Sequence, residues 1–300
     1  MSLLARLRPH TVRLLQKAPW PLNEHLLAAC GPVYWFLHPH SFRRSLEWAA
    51  CQPSRRGPAW RLALALAGHC ARYYPYGALL FTGEVPAVRR RLVVEGGERL
   101  EQAAARGATI ALVFHLGPQV AASVLEHCGY PKPMFIGTRE GALQWAGGLY
   151  QMRRLLMNGE TVGISADGLG REAFRIPLPG APMIVRAGWW VLRRSTGATT
   201  LPVLERRERS RVVVTVHPPL PAPDPDPGRD LEACRQALTP ILMDYQRRFP
   251  AQCFSLAFSF FGSERPSTRR SVAAAWRRIG SRVLRGELRR AFVGRARVSS

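Results

Sequence analysis

The sequence predicts an α/β fold: a mixed, largely parallel sheet flanked by helices, with amphipathic helices at the N- and C-terminal ends. Three observations predict it. Short apolar runs rich in β-branched residues recur through the middle of the chain, each the length of a buried strand and too short to span a membrane. Segments of helical spacing alternate with them, the order that builds a parallel sheet. Several runs end on a histidine or a charged residue, at the strand ends where open α/β sheets gather ligands and catalytic side chains.

The elements follow in order. Residues 1–20 set Leu3, Leu4, Leu7, Val12, Leu14 and Leu15 against Arg6, Arg8, Arg13 and Lys17, a basic amphipathic helix. The run Leu26 to Leu37 is apolar but a dozen residues long, where a span needs about 20. Tyr34, Trp35 and Phe36, followed by His38, His40, Arg43 and Arg44, suit either a membrane interface or a buried core helix. Trp60 to Phe81 is a second segment of this kind. Leu92-Val93-Val94-Glu95 reads as a strand, Gly96-Gly97 as a break and Glu98 to Arg106 as a helix closed by Gly107.

Next comes the central strand, Ala108 to Phe114, which ends on His115. A helix over 118–128 follows, then a strand Met134 to Gly137, a helix from Ala142 to Met157 stopped by Asn158-Gly159, and a strand Thr161 to Ala166 ending on Asp167-Gly168. A glycine and proline loop, 168–182, leads to a helix Met183 to Thr196. Thr199 to Leu204 is a strand, the charged run Glu205 to Arg211 a hairpin turn, and Val212 to Val216 its return. A proline and aspartate linker precedes a helix Leu231 to Phe249, and the aromatic segment Phe254 to Phe261 closes the core. From Glu264 the chain is arginine, alanine and serine with apolar residues every three to four positions, a basic amphipathic helix or a frayed tail. The domain reading is 1–84, a helical membrane-associating region; 85–262, an α/β core; and 263–300, the basic tail.

The 300 residues carry a formal charge of +23 and 47% hydrophobic content, enough for one large core domain with terminal extensions. Nearly all the positive charge is arginine, since Lys17 and Lys132 are the only lysines. Such a charge favours an anionic partner: anionic lipid, an acidic carrier protein or nucleic acid. The pattern points away from nucleic acid, because the tryptophans lie among apolar residues and no zinc-finger or RNA-binding signature occurs. The six cysteines are scattered without metal-site spacing, which predicts reduced thiols and no metal. Residues 1–17 lack the apolar run and cleavage site of a signal peptide, which predicts a chain that is not exported.

His115 is the candidate general base, because an imidazole takes and returns a proton near neutral pH. Asp167 ends a neighbouring run and can face the same cleft. Gly163-Ile164-Ser165-Ala166-Asp167 is a near miss to the nucleophile elbow, with Asp167 where the tight turn needs glycine. No glycine-rich phosphate loop opens a helix.

Taken together, the pieces resemble the bacterial lysophospholipid acyltransferase superfamily, most closely the branch that adds secondary acyl chains to the lipid A precursor. The matching pieces are Val94 to Leu100; the strand into His115-Leu116-Gly117; Leu155-Leu156-x-x-Gly159-x-x-Val162; and Asp167 with its loop to Pro179-Gly180-x-Pro182. Gly188 to Leu192, then Gly197-Ala198-Thr199-x-Leu201-Pro202-Val203, and the run to His217-Pro218-Pro219-Leu220 complete them. The resemblance implies a glycerolipid-acyltransferase-like fold and a His-x-x-x-x-acid pair, in which histidine activates the acceptor hydroxyl and the acid orients and charges it. Here that pattern is degenerate. Val120 stands at the acid position, Gln119 is the nearest polar side chain, and Pro118 replaces the usual asparagine. Glu126 lies too far down the helix to substitute. Gln119 can hold the imidazole but cannot offset its charge. Asp167 comes first as an acid from elsewhere, with Glu140 or Glu172 behind it. The family's arginine-rich loop is shortened to Gly137-Thr138-Arg139-Glu140-Gly141.

Two functions follow from the resemblance. The first is an acyltransferase moving a fatty acyl group from an acyl carrier protein or acyl-CoA thioester to a hydroxyl of a lipid or glycolipid, at the cytoplasmic face of the bacterial inner membrane, as a peripheral or monotopic protein. His115 is then the base, with Gln119 or Asp167 orienting it. Gly117 belongs to the substrate site, and Arg139, Arg171, Arg175 and Arg186 are the candidates to hold phosphate or carboxylate, which the planar guanidinium grips bidentately. No cofactor beyond the thioester co-substrate is implied. The second is a catalytically inactive relative that keeps the shape for lipid binding or partner recruitment, for which the missing acid is the evidence. Binding of nucleic acid by residues 264–300 is a third.

Overall fold

A computed structural model of the chain describes residues 25, 28–29, 31–37, 39–55, 57–69, 90–135, 148–168, 170–253 and 256. The helix expected over 1–20, much of the segment to Phe81, Arg139 and Glu140, most of the aromatic segment 254–261 and the tail from 264 lie outside the described residues. The chain divides into two units, one of residues 77–176 and 183–242, the other of residues 1–76, 177–182 and 243–300.

The first unit holds a six-stranded sheet in the order β1-β8-β7-β2-β4-β3. Its strands are β1 (Leu92–Glu95), β2 (Thr109–Val113), β3 (Met134–Phe135), β4 (Thr161–Ser165), β7 (Thr199–Glu208) and β8 (Arg211–Val216). Every neighbouring pair is parallel except β7 with β8. The expected mixed, largely parallel α/β architecture is therefore the observed one. β2 lies between two parallel partners and is buried at every residue, which is why its sequence is apolar throughout rather than alternating.

Among the described residues, four helices flank the sheet. Those at Gly148–Met157 and Gly188–Thr196 pack on one face, where Met152, Leu156 and Leu192 meet Ile110, Val162 and Ala198 in one core cluster. Those at Gly97–Arg106 and Ala121–His127 cover the other face, as right-handed crossovers require for a chain that runs from β1 to β2 to β3 and then back to β4 and β7. Adjacent strands β2 and β4 therefore send their chains to opposite faces. That arrangement opens a crevice at their carboxyl ends, the topological switch point of an open α/β sheet.

Three expectations are corrected. The helix placed at Met183 to Thr196 starts at Gly188; Met183–Arg186 is strand β6, paired antiparallel with β5 (Glu172–Ile176) inside what read as a loop. The β-branched Ile184 and Val185 favour the strand, and Gly188 marks the change to helix. The charged run from Glu205 is not a turn as far as Glu208, because β7 continues through it and only Arg209 and Ser210 turn the chain, Arg209 at φ 52°.

Gly163, in the middle of β4, is needed for close approach: the Phe135 ring of β3 lies where its Cβ would be. Gly163→Ala should therefore destabilise the fold by about 1–3 kcal/mol, the range for overpacking. Urea titration reads it, and an unchanged midpoint would mean that the ring swings aside without strain.

In the second unit, helices at Gly31–Leu37, Pro39–Ala50 and over 59–69 pack around Trp35, Leu46, Trp48, Ala63 and Leu66. Trp35 donates its indole N–H to the Ala63 carbonyl at 3.0 Å. Its helix leaves Val33 and Phe36 exposed, so the apolar run is half core and half surface. Gln52 and Gln246 both donate to the Pro179 carbonyl, at 2.9 and 2.7 Å, and Gln246 also donates to Gln52 at 2.8 Å. Among the described residues no helix is long and apolar enough to cross a membrane. Cys51, Cys128, Cys234 and Cys253 are free thiols.

Candidate active site

The register fixes the site. Val113 of β2 pairs with Ser165 of β4, so two residues further along each chain His115 and Asp167 stand side by side at the mouth of the crevice. The Asp167 carboxylate lies 2.8 Å from His115 Nδ1, and both of its oxygens accept the His115 backbone N–H at 3.0 Å. Side-chain exposure is 17% for His115 and 7% for Asp167, so the acid is buried while the imidazole stays reachable. Oxygens that already accept a backbone N–H act as acceptors for the ring too. Nδ1 therefore carries the imidazole proton, and Nε2 is the basic nitrogen.

Ser165 Oγ lies 3.4 Å from Nδ1 and 3.5 Å from Nε2. Near-equal distances to both nitrogens put the hydroxyl against the ring rather than along the Nε2 lone pair, so a serine–histidine nucleophile pair is not assembled. The residues after His115 turn sharply, with Gly117 at φ 71° and Gln119 at φ 55°. A side-chain-bearing residue takes that left-handed conformation only where its surroundings hold it.

The other expected site residues distribute unequally. Arg186, at the end of β6, donates Nε at 3.0 Å to the carbonyl of Gly168, the residue that follows the acid. Arg171 is exposed, and its carbonyl accepts the Ala187 N–H at 2.8 Å. Arg175 is exposed and paired with Glu172, Nε to Oε1 at 2.7 Å and the second nitrogen to Oε2 at 3.1 Å. That bond, with the nearby charges of Arg175 and Arg186, holds the Glu172 carboxyl below its ordinary range. Glu172 is thus an arginine partner on the hairpin, and the acid on Nδ1 is Asp167. Arg139 lies outside the described residues.

The residue that sequence reasoning missed is Glu205. Its side chain is buried, and Oε2 accepts the Val120 N–H at 2.5 Å. Burial pushes its carboxyl up to about 8, against the pull of the Val120 and Ala121 N–H groups in the other direction. The available signal was its place directly after Leu201-Pro202-Val203-Leu204, a strand that had no reason to stop there.

No protein-family model matches the sequence, and no curated protein matches it. Among solved structures the chain is similar to the crystal structure of the 1-acyl-sn-glycerophosphate (LPA) acyltransferase, PlsC, from Thermotoga maritima. The identity is 14% over 74% of this chain and 97% of that one, with a TM-score of 0.37.

Proposed function

We propose that this protein is an acyltransferase that moves a fatty acyl group from a thioester to the hydroxyl of a lipid or glycolipid. The observation that carries the reading is the Asp167–His115 pair at the switch point. In the reaction, His115 Nε2 takes the proton of the acceptor hydroxyl as its oxygen attacks the thioester carbonyl. The new C–O bond forms, the C–S bond breaks as the tetrahedral species collapses, and the imidazolium returns the proton to the departing thiolate. Asp167 keeps the ring in the tautomer that exposes a basic Nε2 and stabilises the positive charge that develops there. No covalent acyl-enzyme is required.

Arg186, bonded to the carbonyl of the residue that follows Asp167, and the exposed Arg171 are the cations suited to an acceptor phosphate or carboxylate. The charge of +23 favours an anionic membrane surface and an acidic acyl carrier protein, or acyl-CoA, as donor. We assign the acceptor to the lipid A precursor or a lysophospholipid, met at the cytoplasmic face of the inner membrane. The rival reading of an inactive lipid-binding relative drew on the valine at position 120, and a carboxylate on Nδ1 from another strand removes that support.

The test is acyl transfer from labelled acyl carrier protein and from acyl-CoA to a panel of lysophospholipids and lipid A precursors. Wild type yields product and His115→Ala reduces it at least about 10²-fold, the low end of general-base catalysis. Product formed equally by both proteins, or by neither, would overturn the proposal.

A further inference from the structure

We propose that Glu205 is a positioning residue for His115, its carboxyl group fastening the turn that leads from the histidine into the helix at Ala121–His127. The inference rests on the acyl-transfer reading for its kinetic consequence, and on geometry alone for the fastening. β2 is flanked in register by β4 and β7, with Val113 opposite Ser165 on one side and Val203 on the other. Counting two residues onward places His115 in a row between Asp167 and Glu205. Two carboxyl groups from the two neighbouring strands thus serve one histidine, Asp167 at the ring and Glu205 at the chain that follows it.

The need for a carboxyl group here is physical. The helix at Ala121–His127 has Val120 as its N-cap, and that residue offers no capping side chain. Its first amides would be orphaned inside the protein without an acceptor from elsewhere. Glu205 is 4% exposed and supplies that acceptor, to Val120 at 2.5 Å and to Ala121 as well. Between His115 and this anchor lie Gly117 and Gln119, both in left-handed conformation. The anchor fixes the far end of a turn whose near end is the catalytic histidine. Burial favours the uncharged acid; glutamine reproduces its shape and one acceptor oxygen, whereas leucine keeps the bulk and offers none.

The experiment uses the full chain with Glu205→Gln and Glu205→Leu, and reads both steady-state acyl transfer and native-state amide hydrogen exchange. Glu205→Leu is expected to lower kcat about 10²-fold with KM unchanged, the effect of a small misplacement of a catalytic group. Exchange at Val120 and Ala121 should accelerate while Ile110 and Leu112, in the sheet core, stay protected. Glu205→Gln should recover most of both. Unchanged exchange at Val120 and Ala121 in Glu205→Leu, or protection lost equally at Ile110 and Leu112, would overturn the proposal. So would an unchanged kcat. Should Glu205→Leu fail to fold, Glu205→Ala takes its place, and a full kcat in either acceptor-free variant is equally fatal. If wild type transfers no acyl group, the acyl-transfer reading fails, and the exchange measurement still decides whether Glu205 fastens the turn.

Discussion

Replacing Asp167 with asparagine is expected to lower turnover about 10⁴-fold with KM close to wild type, the loss that the corresponding acid-to-amide change causes in serine proteases. The amide is nearly the same size, and its oxygen can still accept the His115 backbone N–H that both carboxylate oxygens share at 3.0 Å. Two things are lost. If the amide oxygen stays on the backbone N–H, the NH₂ group faces Nδ1 and drives the proton to Nε2, the nitrogen that the proposed reaction uses as base. The negative charge 2.8 Å from Nδ1 that would stabilise the imidazolium also disappears. The double variant with His115→Ala should be no slower than His115→Ala alone, since residues acting as one unit are not additive. Measured kcat values for the four proteins decide it. A loss below about tenfold for Asp167→Asn would show that another group charges the histidine, and Gln119→Glu would be the next variant to assay.

That pair was partly legible in the sequence. The strands ending at His115 and Asp167 announce themselves as unbroken apolar runs, because a strand buried on both faces between parallel partners has no solvent side to record. Each residue could be recognised separately as a strand end. Asp167 could be put first among the acids able to serve His115, but the contact itself could not be fixed, since it depends on β2 and β4 being neighbours, and strand order is set by the helices between them rather than by either strand. The carboxylate on Nδ1 lies 52 positions from His115 in sequence, beyond the reach of any local spacing pattern.

The misread segments have local causes. Met183 to Thr196 joins an apolar β-branched piece to a helix through Arg186, Ala187 and Gly188 with no proline between them, so one period seemed to cover both. Glu172–Ile176 mixes Glu172 and Arg175 with Phe174 and Ile176 in a stretch framed by glycine and proline, and its pairing with β6 is what makes it a strand. Glu205 was hidden by its company. Five of the next six residues are charged, and a charge run is ordinarily a solvated face, yet here its first member points into the protein while the rest lie on the hairpin.

The largest stability effect is expected at a buried ion pair, at Asp230. It accepts from Arg193 at 2.9 Å, with both side chains 1% exposed, and also from the Trp190 indole at 2.6 Å and from Arg194 at 3.3 Å. Arg193 donates in addition to Cys234 Sγ at 2.8 Å and to the Pro221 carbonyl. Burial pushes the Cys234 thiol up to about 11, so it brings no charge and Asp230 carries the counter-charge. The cluster ties the helix at Gly188–Thr196 to the stretch after β8 and to the helix at Pro227–Arg248. Asp230→Ala leaves a guanidinium uncompensated in the interior and should destabilise by about 3–5 kcal/mol, a large share of the roughly 5–15 kcal/mol that holds a domain together. The paired replacement Arg193→Met with Asp230→Leu removes both charges and should regain most of that loss, because apolar groups of similar volume need no partner. Denaturant midpoints for wild type, Asp230→Ala and the double variant test the argument. A double variant no more stable than Asp230→Ala would mean that the hydrogen bonds to Trp190 and Pro221, rather than the uncompensated charge, account for the loss. Because Ala187, just before this helix, bonds the Arg171 carbonyl, Asp230→Ala should also loosen the hairpin beside Asp167 and lower acyl transfer with it.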